Sequence, residues 1–350
     1  MRSSLRSGKM SRLSLLPLVA SCAAATGYDW QESIRGLNGA QRPLRDYESI
    51  SAHKLPTLKL NDGYEIPTIA YGLGTKNYKR GDDFDQDIVD VTLKALSAGF
   101  THLDGAESYN NEEELGAAIK SSAIAREKLF VTTKATVKVD KPIEENFSAS
   151  LKKLGLDYVD LYLIHSPFFA GGDAKVLQAK WAEVEAIRAS GRARSIGVSN
   201  YIQEDLDAVL ETAKVKPAIN QIEFHPYLQH ITDSGKTKLL DYHREKGIAV
   251  SGYAGLTAIT KAAPGPVDGA YARLAKKYNV TEGDVALRWT LDQGVVAITT
   301  SSREERLREY VGKLPSFKLT PEEVKEISDL GLKKHFRGFW RDQYDEEDWR

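Results

Sequence analysis

A chain of 350 residues, 28% charged and 41% hydrophobic, has enough apolar material for a large core, which excludes disorder throughout. Lys and Arg number 48 against 49 acids, and a net charge of −1 sets up no field to gather a polyanion, so the expected partner is a small molecule and not a nucleic acid. The single cysteine, Cys22, rules out an intrachain disulfide and a zinc site built on cysteines, and it fits a reducing compartment.

Residues 1–28 carry Arg2, Arg6, Lys9 and Arg12, many serines and no acid before Asp29. The apolar run Leu13 to Ala25 is interrupted by Ser14, Pro17 and Ser21, too short to cross a bilayer core of about 30 Å as a helix, so no membrane anchor is expected. Its composition suits a secretory signal, a mitochondrial transit peptide or a disordered extension on a cytoplasmic protein. The last is the expectation, with mitochondrial targeting as the alternative. Residues 29–54 are irregular and polar as well, so 1–54 are expected to form an N-terminal extension and 55–350 the folded domain.

From Leu55 a short hairpin is expected, with Thr57–Leu60 and Glu65–Ala70 joined at Asn61-Asp62-Gly63, a sequence suited to positive φ; its place would be to cover something. Short apolar runs then alternate with amphipathic helical patterns, which predicts parallel strands joined by helical crossovers. The strands begin near Ile69, Phe100, Leu129, Tyr158, Arg194, Ala218, Ala249 and Val295. Ile88, Val89, Leu93 and Leu96 recur at helical spacing before Gly99, a left-handed C-terminal cap. Thr281 and Asp284 open a later helix, and Thr320-Pro-Glu-Glu323 is a capping box with proline in the first turn. Eight such repeats over roughly 250 residues predict one closed (β/α)8 barrel, with its site at the C-terminal ends of the strands.

Three consecutive predicted strands aim ionisable groups at that end. The second ends Thr101-His-Leu-Asp104, with Tyr109 in the loop that follows; the third ends in Lys134 and the fourth in His165. Singly, each has a bland explanation as a helix cap, a loop aromatic, a solvated cation or a satisfied core histidine. Together they are harder to dismiss, because a lysine buried at a strand end needs a carboxylate, and Asp104 is one strand away. An ammonium beside Tyr109 would lower the phenol's pKa from its ordinary value of about 10, and His165 could hydrogen-bond a carbonyl oxygen that is gaining charge. Such a set suits carbonyl reduction.

In the contexts THLDGAESY, LFVTTK and LYLIHSP, these residues resemble the catalytic tetrad of the aldo-keto reductases, and the resemblance extends over about Leu55 to Gly331. It implies reversible, metal-free hydride transfer between NADPH and an aldehyde or ketone, with Asp104, Tyr109, Lys134 and His165 catalytic and Tyr109 the general acid. It also implies that Ser199, Asn200 and Gln221 hold the nicotinamide carboxamide, that Tyr253 stacks on the ring, and that Leu256, Thr300, Ser301, Arg306 and Glu309 belong to the cofactor site. Thr300 stands where many relatives have a lysine near the 2′-phosphate; Arg306 keeps NADPH the expected cofactor over NADH. Lys76-Asn77-Tyr78 departs where relatives often have a pocket tryptophan, which Tyr78 partly replaces; Phe168, Phe169 and Trp340 are the other expected pocket walls.

The Thr-Thr-Ser-Ser run and aromatic tail are similar to fungal reductases of α-keto amides, conjugated polyketones and 2-dehydropantolactone, so α-dicarbonyl or α-keto amide and lactone substrates are expected, with the protein a monomer or weak dimer. The alternative function is an NADPH-binding regulatory or redox-sensing barrel with little turnover.

Overall fold

Asn61-Asp62-Gly63 turns the chain sharply, Gly63 taking a φ of 95° that a side chain would resist. In the computed structural model, which describes residues 55–231, 238–345 and 348–350, this turn joins β1 (Thr57–Lys59) to β2 (Glu65–Pro67) in an antiparallel pair with Leu58 opposite Ile66. What the hairpin covers is the strand-start mouth of a barrel. Leu60 and Ile66 are buried in one cluster with Phe130, Leu161, Ile219 and Val296, and the Asn61 amide donates to the carbonyls of Pro217 and Gly247. The N-terminal extension expected over 1–54 lies outside the described residues.

Eight parallel strands close that barrel in chain order: β3 (Ile69–Gly72), β4 (His102–Asp104), β5 (Phe130–Ala135), β6 (Val159–Ile164), β7 (Ala193–Ser199), β8 (Ile219–Glu223), β9 (Ala249–Tyr253) and β10 (Val295–Thr299), with β10 returning to pair with β3. The (β/α)8 barrel is therefore the observed fold, and each strand begins within two residues of its expected start. β5 and β6 are buried along their whole length, since one face meets the lumen and the other the helices.

The helices follow the periodic segments: α1 (Gln86–Ser97), α2 (Glu112–Ser121), α3 (Ile143–Leu154), α4 (Ala174–Ala189), α5 (Gln203–Thr212) and α6 (Leu239–Lys246). Gly99, at φ 103°, closes α1 as its position required. Between β9 and β10 the chain makes the single turn α7 (Thr257–Thr260), then α8 (Asp268–Tyr278) and α9 (Glu282–Asp292); α10 (Glu304–Lys313) and α11 (Pro321–Gly331) follow β10. Reciprocal capping boxes start α9 at Thr281 with Asp284 and α11 at Thr320 with Glu323. Trp289 of α9 stacks on Phe224 with ring centroids 5.0 Å apart and donates to the Ser328 hydroxyl of α11, tying the last helix to the barrel. Burying such a side chain contributes about 1.5–3 kcal/mol.

Candidate active site

The barrel topology delivers one side chain after another to the same rim. Asp104 ends β4, Lys134 is the penultimate residue of β5, His165 follows β6, Ser199 ends β7, Gln221 lies in β8, Tyr253 ends β9, and Thr300 follows β10. All of these but Lys134 and Ser199 border a cavity of about 760 Å³, whose lining also includes Tyr109, Asn200 and Arg306.

Lys134 is fully buried and its ammonium has three partners: Asp104 Oδ1 at 2.6 Å, the Gly105 carbonyl at 2.7 Å and Tyr109 Oη at 3.4 Å. Burial alone would push its pKa down; the Asp104 carboxylate, Tyr109 and their hydrogen bonds outweigh that and hold it above the ordinary lysine value. The carboxylate partner argued from the sequence is thus in contact.

For Tyr109 the balance differs from the expectation. Burial raises the phenol, Lys134 pulls it down and Asp104 pushes it up again, and the net result lies above the ordinary tyrosine value. Lys134 acts in the expected direction but is outweighed, so Tyr109 carries its proton through the neutral range. Its ring lies against Gly74, where an added Cβ would come within 2.9 Å of it. The sequence reading gave Gly74 no role, although the paired glycines of Gly72-Leu-Gly74 mark a close approach.

His165 is packed edge-on against Tyr109, centroids 5.6 Å apart, and against Trp340 at 6.1 Å. Burial, followed by the nearby Lys134 charge, lowers its pKa to about 3, so the imidazole is neutral. Its Nδ1 is 3.1 Å from the Ser108 hydroxyl, a partner the sequence reading did not name.

The remaining expected residues divide by position. The Asn200 amide donates to the His165 carbonyl at 2.9 Å and to Ser199 Oγ at 2.9 Å, while its Oδ1 accepts from the Tyr253 hydroxyl at 2.7 Å. Ser199 is buried behind the cavity wall and donates to the Gln221 carbonyl. Gln221 in turn donates from Nε2 to Asp104 Oδ2 at 2.8 Å, bridging the barrel from β8 to β4. Leu256, Thr300 and Arg306 line the cavity; Ser301 accepts from the Arg303 amide beside it, and Glu309 pairs with Lys313 along α10.

Tyr78 and Trp340 are cavity walls. Phe168 is absent from the cavity wall and meets it through Trp340, 5.0 Å away, and Phe169, the next residue of the short turn Phe168–Ala170, packs against the main hydrophobic core and not on the cavity. Phe339 and Lys261, which the sequence reading passed over, complete the wall, with the Lys261 ammonium 4.5 Å from the Phe339 ring centre.

The C-terminal tail is fixed to this rim by Glu223, the last residue of β8, whose carboxylate accepts from the amides of Gly338 at 2.8 Å and Phe339 at 3.0 Å and from His225 Nε2 at 3.0 Å. Burial pushes Glu223 up, but His225 and the two amides outweigh it and hold the carboxyl below its ordinary value. Trp340 then donates to the Tyr253 hydroxyl at 3.2 Å. Of the eight non-glycine residues with positive φ among those described, Thr75, Asn200, Ala254 and Trp340 line this cavity. Bulky or β-branched residues seldom adopt that conformation, and such strain concentrates where a site dictates geometry.

In its donors the cavity fits a nicotinamide dinucleotide. Its wall offers the amides of Asn200 and Gln221, the latter bonded to the buried ion pair, the Tyr253 ring, and the Arg306 guanidinium with the Thr300 hydroxyl.

A (β/α)8 barrel with an Asp, Tyr, Lys and His cluster at the C-terminal rim defines the class, and comparison with known proteins defines the family. The family model "Aldo/keto reductase family" matches residues 69–331. The chain belongs to the aldo/keto reductase family. It is 39% identical over 280 residues to the NAD/NADP-dependent indole-3-acetaldehyde reductase of Schizosaccharomyces pombe, covering 80% of this chain and 96% of that one. Identity is 37% over 298 residues to the NADPH-dependent alpha-keto amide reductase of Saccharomyces cerevisiae, covering 81% and 94% respectively. Among solved structures, an aldo-keto reductase of Bombyx mori in complex with NADP aligns with a TM-score of 0.73 at 31% identity, over 85% of this chain and 99% of its own.

Proposed function

We propose that the protein is an NADPH-dependent carbonyl reductase, with Asp104, Tyr109, Lys134 and His165 as its catalytic group. The observation that carries this reading is the convergence on one cavity of Tyr109, His165 and Asp104, with the buried Lys134 ammonium behind them, bonded to the Asp104 carboxylate and to Tyr109 Oη. A nicotinamide cofactor supplies the hydride when bound.

The protein's own residues supply the proton and its placement. Tyr109 gives its proton to the carbonyl oxygen as negative charge grows there. Lys134, 3.4 Å from Oη, stabilises the phenolate that remains, and Asp104 keeps Lys134 charged and oriented. His165 donates a hydrogen bond to the same carbonyl oxygen. Asn200 and Gln221, with Ser199 behind them, would hold the carboxamide, Tyr253 would carry the ring, and Arg306 with Thr300, Ser301 and Glu309 would serve the phosphate end. Leu256 would form apolar wall against the cofactor.

The substrate class we infer is an α-dicarbonyl or an α-keto amide or lactone, bounded by Tyr78 and Trp340, with Phe168 supporting Trp340. Support comes from the names of the two fungal relatives, both reductases of carbonyl compounds. No helix among the described residues is long and apolar enough to cross a membrane. We place the barrel domain at 55–350 and 1–54 as an extension to it. A steady-state screen of reactive carbonyls with NADPH and NADH tests the reading: an enzyme turns over members of this class, whereas a regulatory barrel binds NADPH and leaves all of them unreduced.

A further inference from the structure

We propose that Ser108 is a positioning residue that sets the tautomer of His165, donating its hydroxyl proton to Nδ1 so that the ring's own proton sits on Nε2; its catalytic consequence rests on the reductase reading above. The two atoms are 3.1 Å apart, and both residues line the cavity. The turn carrying Ser108 is anchored on its outer side: the Glu107 carboxylate accepts from the Thr136 amide at 2.9 Å and from the Asn146 side chain at 2.9 and 3.0 Å. Ser108 is therefore presented by a braced loop and not by a free one.

The neutral imidazole has one ring proton, so one nitrogen donates and the other accepts. Nδ1 is engaged by Ser108, which leaves Nε2 for a molecule in the cavity. If the proton were on Nδ1, Nε2 would present a lone pair to a carbonyl oxygen, and two acceptors would face each other. A hydroxyl can donate or accept, and only donation from Ser108 makes His165 a donor to the carbonyl. The backbone side is fixed separately, by the Asn200 amide on the His165 carbonyl. One short turn, Glu107–Tyr109, thus delivers both the proton donor Tyr109 and the group that orients the second donor.

Long-range ¹H–¹⁵N correlation on the full chain labelled with ¹⁵N-histidine, with and without NADP⁺, tests this, His165 being assigned by its loss in His165→Asn. The wild type should show the Nε2–H pattern. Ser108→Ala should give a mixture of tautomers and Ser108→Thr, which keeps the hydroxyl, the wild-type pattern. With saturating NADPH, Ser108→Ala should lower kcat roughly tenfold, the scale of one hydrogen bond, with NADPH affinity unchanged and activity restored in Ser108→Thr. A wild-type ring protonated on Nδ1, or an unchanged tautomer in Ser108→Ala, overturns the proposal. A wild type that reduces no carbonyl would sink the reductase reading, while the spectra would still decide the role of Ser108.

Discussion

Gln221 Nε2 donates to Asp104 Oδ2 at 2.8 Å across the barrel lumen, so an amide assigned to the cofactor also braces the carboxylate that holds Lys134. Each Asp104 oxygen then has a charged or dipolar partner, and losing one leaves a buried lone pair unmet. Gln221→Leu should weaken NADPH binding and also lower kcat at saturating NADPH, by roughly tenfold, the worth of one hydrogen bond to a charge. Cofactor titration with single-turnover kinetics separates the two effects; a change in affinity alone would mean that the bridge to Asp104 is idle.

The Lys134–Asp104 pair is buried on both sides, at 0% and 3% side-chain exposure. Removing one member strands the other charge, so Lys134→Met and Asp104→Asn should each destabilise the fold by about 3–5 kcal/mol. The double variant should cost clearly less than the sum, since both changes remove one interaction. Denaturant unfolding of all four proteins measures this coupling, and strict additivity would count against a shared role.

Arg306 lines the cavity and Thr300 offers no charge. Arg306→Ala should therefore weaken NADPH binding by about 1.5–3 kcal/mol and NADH binding much less. Arg303 caps the start of the same helix, so Arg303→Ala and the double variant belong in the same fluorescence titration. Equal losses for both cofactors would show that Arg306 packs the adenine end without reading its phosphate.

Four histidines, three of them buried and His165 partly so, set an acid limit on stability. Burial lowers His165 to about 3 and His102, His230 and His243 to about 4. Between the unfolded value near 6.5 and these folded values the unfolded chain binds more protons, so stability is full above about 6.5 and is lost as pH falls towards 4. Each group contributes at most about 1.4 kcal/mol per pH unit across that window. The Tm should drop steeply over this range, and less steeply in His243→Asn. A Tm unchanged from pH 7 to pH 4.5 would contradict the burial of neutral rings.

Periodic features were legible in the sequence because they are local. The strand starts, the Gly99 cap and the Thr281 and Thr320 boxes follow from spacing within a dozen residues, and strand order then brought Asp104, Lys134 and His165 to one rim. Contacts between distant segments were not legible in this way. Glu223 holds the tail at Gly338 and Phe339, more than a hundred positions on, and no periodicity announces it. Ser108 meets His165 only through the curl of a three-residue turn. The direction of the Tyr109 shift also needed the structure, because it depends on the balance between desolvation of the phenol and a neighbouring cation that the sequence did suggest.

Tyr109, as proposed above, supplies the proton to the carbonyl. Tyr109→Phe keeps the ring that packs on Gly74 and beside His165 while removing the hydroxyl alone, so folding and NADPH affinity should survive. Single-turnover reduction at saturating NADPH is the direct measurement. The rate should fall by roughly 10² or more, the usual contribution of a positioned general acid. Turnover within a few-fold of wild type would contradict it.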